Sequence, residues 1–141
     1  MADWNSLIAD RFGIPSDVGK GTKANATLAQ ILVHRTIRKY EDRDVPEDLV
    51  QTLLACAQSA PGKSDLQQYS IIRLTNPEKK AKLAELSGTA FIGTAPISLV
   101  FCGDLNRIQK VSGFRNKPYA QNTVDSFMNA AVDAALAMQN F

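Results

Sequence analysis

Cysteine is scarce in this chain: Cys56 and Cys102 are its only two in 141 residues. They lie far apart, in LLACAQ and LVFCGD, with no Cys-x-x-Cys, which excludes a disulfide scaffold and predicts two reduced core residues. Histidine is rarer still. With His34 alone, a zinc site has no second imidazole, so no metal is expected, and a Ser/His/Asp triad would have to use this one ring. No apolar run approaches the roughly 20 residues that cross a bilayer, so no membrane partner is expected. The opening MADWNSLIADRF has two acidic residues before its first basic one and no secretory h-region, which predicts a cytoplasmic protein. One-signed charge is lacking too: a net +2 with pI near 8.6 is too mild to argue for nucleic acid. There is no G-x-G-x-x-G, no Walker lysine motif, no G-x-S-x-G elbow, no internal repeat and no low-complexity segment.

What is present is ordinary globular material, 45% hydrophobic and 21% charged, enough for one core and a single domain over residues 1–141. Trp4–Phe12 reads as a short helix closed by Gly13, and Ile14–Lys23 as a loop holding Pro15, Gly19 and Gly21. A helix is predicted over Asn25–Val33, with Leu28, Ile31 and Leu32 at helical spacing. Pro46 suits the first turn of the next helix, Glu47 and Asp48 favour its positive end, and Leu49, Leu53, Leu54 and Ala57 form its buried stripe. QYSIIRL, Gln68–Leu74, predicts a strand. Asn76 and Pro77 open a helix with Leu83 and Leu86 inward and Gly88 at its close. Ile97–Cys102 predicts a second strand, covered on both faces because it is apolar without alternation. Helices alternating with strands imply an α/β or α+β layered domain. The last stretch, from about Asn122 to Phe141, is apolar on nearly every face, which suits a core or an extensive interface. It stops without a Gly, a closing Lys or Arg, or a breaker, so the chain is expected to be the front portion of a longer protein.

Two clusters could carry chemistry. HRTIRKY places His34, Arg35, Thr36 and Arg38 together: guanidinium forks, an imidazole and a hydroxyl, the donors a phosphate needs. Arg35 and Arg38 share a side on a final helical turn and diverge in an extended stretch. The competing reading is that basic residues here only answer a helix's negative end. In SAPGKSDLQQY, Gly62 permits close backbone approach while Ser64, Asp65 and Gln67 can hydrogen-bond a polar heterocycle or polyol. Its competing reading is an ordinary turn. A nucleic-acid role for Arg35, Arg38, Lys39 and Arg43 is weakened by Glu41, Asp42 and Asp44 interrupting the patch.

In order along the chain, HRTIRKY, VPEDLVQTLLACAQSAP, SDLQQYSIIRL, LSGTAFIGTAPISLVFCGDLNR and VDAALAMQN resemble the N-terminal half of the FMN-dependent nitroreductase family, above all its NADPH-dependent flavin oxidoreductase branch. The resemblance implies a nitroreductase-like layered α/β (α+β) fold, a sheet flanked by helices with a long central dimer helix, and absence of the family's C-terminal part. It also implies that His34, Arg35, Thr36 and Arg38 grip the FMN phosphate and ribityl chain. Pro61, Gly62, Lys63, Ser64, Asp65 and Gln67 would reach the flavin across a homodimer interface, and Thr89 would approach the isoalloxazine ring. The implied activity is transfer of electrons from NAD(P)H through FMN to a nitroaromatic, quinone or flavin, with no catalytic side chain of the protein's own. Lys63 and Asp65 depart from the small or amide residues usual in that loop, and the family's later glycine-rich GLG-type segment is not in this sequence. The alternative is a cofactor-free or truncated assembly module of the same fold.

Overall fold

The computed structural model of the chain describes residues 4–15, 17, 21, 23, 25–119 and 123–141. Expectations that fall on Met1–Asp3, Gly19 and Asn122 lie outside the described residues. The chain divides into two compact units, Met1–Arg38 and Lys39–Phe141.

The first unit holds two helices packed on one another, α1 (Trp4–Phe12) and α2 (Ala26–Val33). Trp4 is the buried residue of α1, and Gly13 ends that helix at φ 73°, as its position in the sequence predicts. Asn25 caps α2: its side-chain oxygen accepts from Thr27 N at 2.8 Å and Leu28 N at 3.2 Å, satisfying amides that the first turn leaves unpaired. The apolar residues of α2 find little cover within this unit. Leu28 and Ile31 are 47% and 64% exposed.

In the second unit, α3 (Glu47–Gln58) starts one residue after Pro46, with Glu47 and Asp48 in the first turn. Its inward stripe runs through Val50, Leu53, Leu54 and Ala57. Leu49 was expected on that stripe but is exposed, because the 3.6-residue repeat gives Val50 the inward place. Cys56 is also off the stripe: it is exposed rather than in the core, while Cys102 is half-buried, and both are free thiols.

Strands β1 (Tyr69–Arg73) and β2 (Leu99–Gly103) pair antiparallel, with Tyr69 opposite Gly103 and Ile71 opposite Phe101. β2 is half-buried along most of its length rather than covered on both faces, as antiparallel pairing allows. Between the strands, α4 (Pro77–Leu86) is capped by Asn76, whose side chain accepts from Lys79 N at 3.0 Å, with Pro77 at the first helical position. Leu83 is half-buried, but Leu86, expected inward, is 73% exposed at the helix end. Two short helices escaped the sequence reading, α5 (Phe91–Thr94) and α6 (Asn106–Phe114). The architecture is a layered α+β arrangement.

The last helix, α7 (Val124–Asn140), starts at Thr123, whose hydroxyl accepts from Ser126 N at 3.3 Å. It lies against β2, β1 and α3. Its buried face is made of small residues and one carboxylate: Ser126, Ala130, Asp133, Ala134 and Ala137. Ala134 and Ala137 join Ala57 and Tyr69 in the core, with Phe101 and Phe141 edge-on beside them at 6.0 Å. Gly103 makes this approach possible, since a Cβ there would stand 3.2 Å from the Ala130 backbone. The large side chains of α7 face outward, with Val124 78%, Phe127 65% and Met128 53% exposed.

Asp104 ties the sheet to α6. Its Oδ1 accepts from Asn106 N at 2.9 Å and Arg107 N at 3.3 Å, and its Oδ2 accepts the Ser70 hydroxyl. The Ser70 hydrogen bond is the largest influence holding the Asp104 carboxyl below its ordinary 3.8; burial opposes it, and the two amides and Arg107 add to it. A depressed carboxylate pKa stabilises the fold fully above the unfolded value, and that contribution fades as pH falls through the folded pKa. Ser70→Ala is therefore expected to cost about 1 kcal/mol at neutral pH in urea unfolding. The gap to wild type should narrow as pH falls below 3.8, and a gap independent of pH would refute the coupling.

Candidate functional site

The basic segment lies in the first unit. α2 stops at Val33, and His34–Tyr40 run on without helix or strand, exposed throughout. Arg35 and Arg38 therefore do not share a final helical turn. β-branched Thr36 and Ile37 disfavour continuing the helix through them. Arg35 Nη1 donates to Leu32 O at 3.1 Å and His34 O at 2.9 Å, and Nη2 donates to Asp10 O at 3.3 Å. Arg11 also donates to His34 O. Leu32 O is one of the carbonyls that the end of α2 leaves without a helical partner, so Arg35 does in part answer the helix terminus. Three of its five N–H groups are used this way; Nε–H and one Nη2–H lie outside those bonds.

The second cluster lies in the second unit, between α3 and β1. Lys63–Asp65 form a single 3₁₀ turn, with Asp65 N donating to Gly62 O at 3.3 Å and Leu66 N to Lys63 O at 3.1 Å. Ser64, Asp65 and Gln67 take φ of 52°, 54° and 47°, left-handed conformations that cost L-residues about 1–2 kcal/mol each. Gly62 itself is extended at φ −136°. Its lack of a side chain serves a neighbour: a Cβ there would lie 3.3 Å from Asp133 Oδ2. Asp133, on α7, is 2% exposed. Its Oδ1 accepts from Lys63 N at 3.0 Å and its Oδ2 from Gln68 N at 3.2 Å. Pro61, Lys63, Ser64, Asp65 and Gln67 are exposed, and Gln67 borders an open groove of about 490 Å³ shared with Gln51, Gln58, Tyr69 and Arg107.

Sequence reasoning missed Asp133. A signal existed: in AAVDAALA one carboxylate sits on a helix of small apolar residues, where a charge is tolerated only with donors around it. Thr89 stands apart from the loop, after α4, half-buried. Its hydroxyl donates to Ser87 O at 3.0 Å and its amide to Ala84 O at 2.9 Å, so both groups help close that helix. Among the described residues no three His, Cys, Asp or Glu side chains gather as a metal site, and no helix is long and apolar enough to cross a membrane.

Comparison with known proteins turns this geometry into a lineage. The family model described as "Nitroreductase family" matches residues 31–141. The chain belongs to the nitroreductase family. A relative named FMN reductase (NADPH), from Bacillus subtilis, is 36% identical over 119 residues, covering 82% of this chain and 48% of the relative. The solved structure of NfrA2 from B. megaterium superposes with a TM-score of 0.80 at 34% identity, over 83% of this chain and 48% of that one. The NADPH:FMN oxidoreductase of Vibrio harveyi, solved in complex with NAD+, gives a TM-score of 0.76 at 32% identity, over 82% and 49% of the two chains. This nitroreductase chain therefore spans about half the length of the relatives it matches. The layered α+β arrangement is the nitroreductase fold.

The contact at Gly62 can be tested directly. Gly62→Ala keeps an allowed backbone but presses a methyl toward the Asp133 carboxylate. Chemical denaturation is expected to register a loss of about 1 kcal/mol, in the range for overpacking. An unchanged midpoint would mean that the loop yields freely at this point.

Proposed function

We propose that the protein to which this chain belongs is an NAD(P)H-dependent FMN oxidoreductase, reducing nitroaromatics, quinones or flavins as a cytoplasmic homodimer. The observation that carries the reading is the exposed donor segment His34–Arg38 in a chain of this family, whose relatives are named for FMN and NADPH. The residues suit a flavin mononucleotide by the chemistry of their donors. His34, Arg35, Thr36 and Arg38 would hold the phosphate and ribityl chain through guanidinium, imidazole and hydroxyl groups. Arg35 would use the N–H groups left outside its carbonyl bonds. Pro61–Asp65 and Gln67 would come from the partner protomer, offering a backbone bend, a hydroxyl and an amide to the heterocycle, and Thr89 would stand near the ring. When bound, FMN supplies the electron transfer itself, so no side-chain acid, base or nucleophile is required.

The homodimer is supported by the outward face of α7, where Val124, Phe127, Met128 and Val132 are each more than half exposed. A cytoplasmic setting suits the free thiols of Cys56 and Cys102. A second reading, a cofactor-free assembly module, draws on that same apolar face and on the carbonyl bonds that already occupy Arg35.

Flavin titration followed by fluorescence separates the two. Wild type is expected to bind FMN. The double change Arg35→Ala with Arg38→Ala should weaken binding by more than about 100-fold, because charge-assisted phosphate contacts contribute about 1.5–3 kcal/mol each. Retained far-ultraviolet dichroism would show that the fold survives. FMN affinity unchanged in the double variant would remove both arginines from the cofactor site.

A further inference from the structure

We propose that Asp133 is a positioning residue: its buried carboxylate holds the loop Gly62–Gln68 in the left-handed course that presents Ser64, Asp65 and Gln67 to a ligand. That ligand is flavin on the reading above, on which this clause rests. The two bonds reach the two ends of the loop. Oδ1 takes the amide of Lys63 at the entrance, and Oδ2 takes the amide of Gln68 at the exit. Between them lie Ser64, Asp65 and Gln67, three of the four non-glycine residues with positive φ among the described residues. Left-handed residues in succession do not maintain themselves, so surrounding structure must determine them.

The anchor is mounted on rigid structure. Asp133 sits on α7 between Ala130, which abuts Gly103, and Ala137, which is wholly buried. The exit is fixed from the other side as well, since Gln68 O accepts from Asp104 N at 2.8 Å and Gln68 is 2% exposed. Gly62 lets the chain pass directly over the carboxylate. A site needs such supporting contacts behind the groups that meet the ligand.

A carboxylate suits this place because it only accepts hydrogen bonds, and two amides converge on it. Asp133→Asn keeps the shape but substitutes an NH₂ for one acceptor, setting donor against donor. Lys63→Pro deletes one of the two amides from the exposed side of the contact, and the extended Gly62 preceding it accepts a proline. Lys63→Ala, which keeps that amide, controls for the side chain.

Amide hydrogen exchange and FMN titration on the 141-residue chain test the proposal together. Asp133→Asn is expected to accelerate exchange at Lys63 and Gln68 at least tenfold, while amides of Leu99–Gly103 keep their wild-type protection. Trypsin should then cleave faster after Lys63. The FMN dissociation constant should rise at least tenfold in Asp133→Asn, and at least tenfold further in Lys63→Pro than in Lys63→Ala. Unchanged exchange at Lys63 and Gln68 overturns the anchor. So does a loss of protection in Lys63→Pro that spreads evenly through the sheet. A freed loop with unaltered FMN affinity overturns its role toward the ligand. Wild type that takes up no FMN defeats the flavin reading instead, and the exchange measurements still decide the anchor.

Discussion

The close seating of α7 on the β1–β2 sheet is the contact from which the rest of the second unit is arranged. It requires Gly103 opposite Ala130 and a face of Ala130, Ala134 and Ala137, because any larger group would hold the helix off the strands. With the helix that close, Tyr69 and Ala57 reach the same core, and Phe101 meets Phe141 edge-on. The same seating carries Asp133 inward to the loop between α3 and β1. A buried carboxylate needs hydrogen-bond donors around it, so the entrance and exit of the loop depend on where this seating places Asp133.

Putting small residues inward has a consequence outside. A helix whose alanines are buried must carry Val124, Phe127, Met128 and Val132 on its other side, and this unit does not cover them. The helix therefore serves two surfaces, a tight inner one and a broad apolar outer one. A homodimer built on the outer face would bring together parts that one protomer supplies separately. The proposed flavin site, with its basic segment from one protomer and its loop from the other, has that form.

Helix ends were the most legible part of the fold. Asn25 and Asn76 act at their helix starts, and Gly13 and Gly88 adopt φ of 73° and 61° past their helix ends, because capping depends on only a few neighbouring residues. The strand centres QYSIIRL and LVFC were legible for a similar reason, in their β-branched and aromatic content. Burial was less so. Leu49 gave way to Val50 and Leu86 turned outward, since a stripe can rotate by one residue without changing the periodic pattern. The four-residue α5 carries too few turns to produce a period, while the nine-residue α6, as long as α1, has no capping side chain at Leu105 to mark its start.

The amino-acid order by itself determined what chemistry is available: a donor-rich HRTIRKY, a loop of turn-forming residues, and a terminal helix too apolar for water. These are local or compositional properties, readable without knowing what lies nearby. Only the tertiary structure decided that Arg35 reaches the carbonyl of Asp10, and that Asp133 gathers the amides of Lys63 and Gln68. The physical reason is distance along the chain. Asp133 stands some 65 to 70 positions from the amides it binds, and only the packing of α7 on the sheet brings them within hydrogen-bond reach.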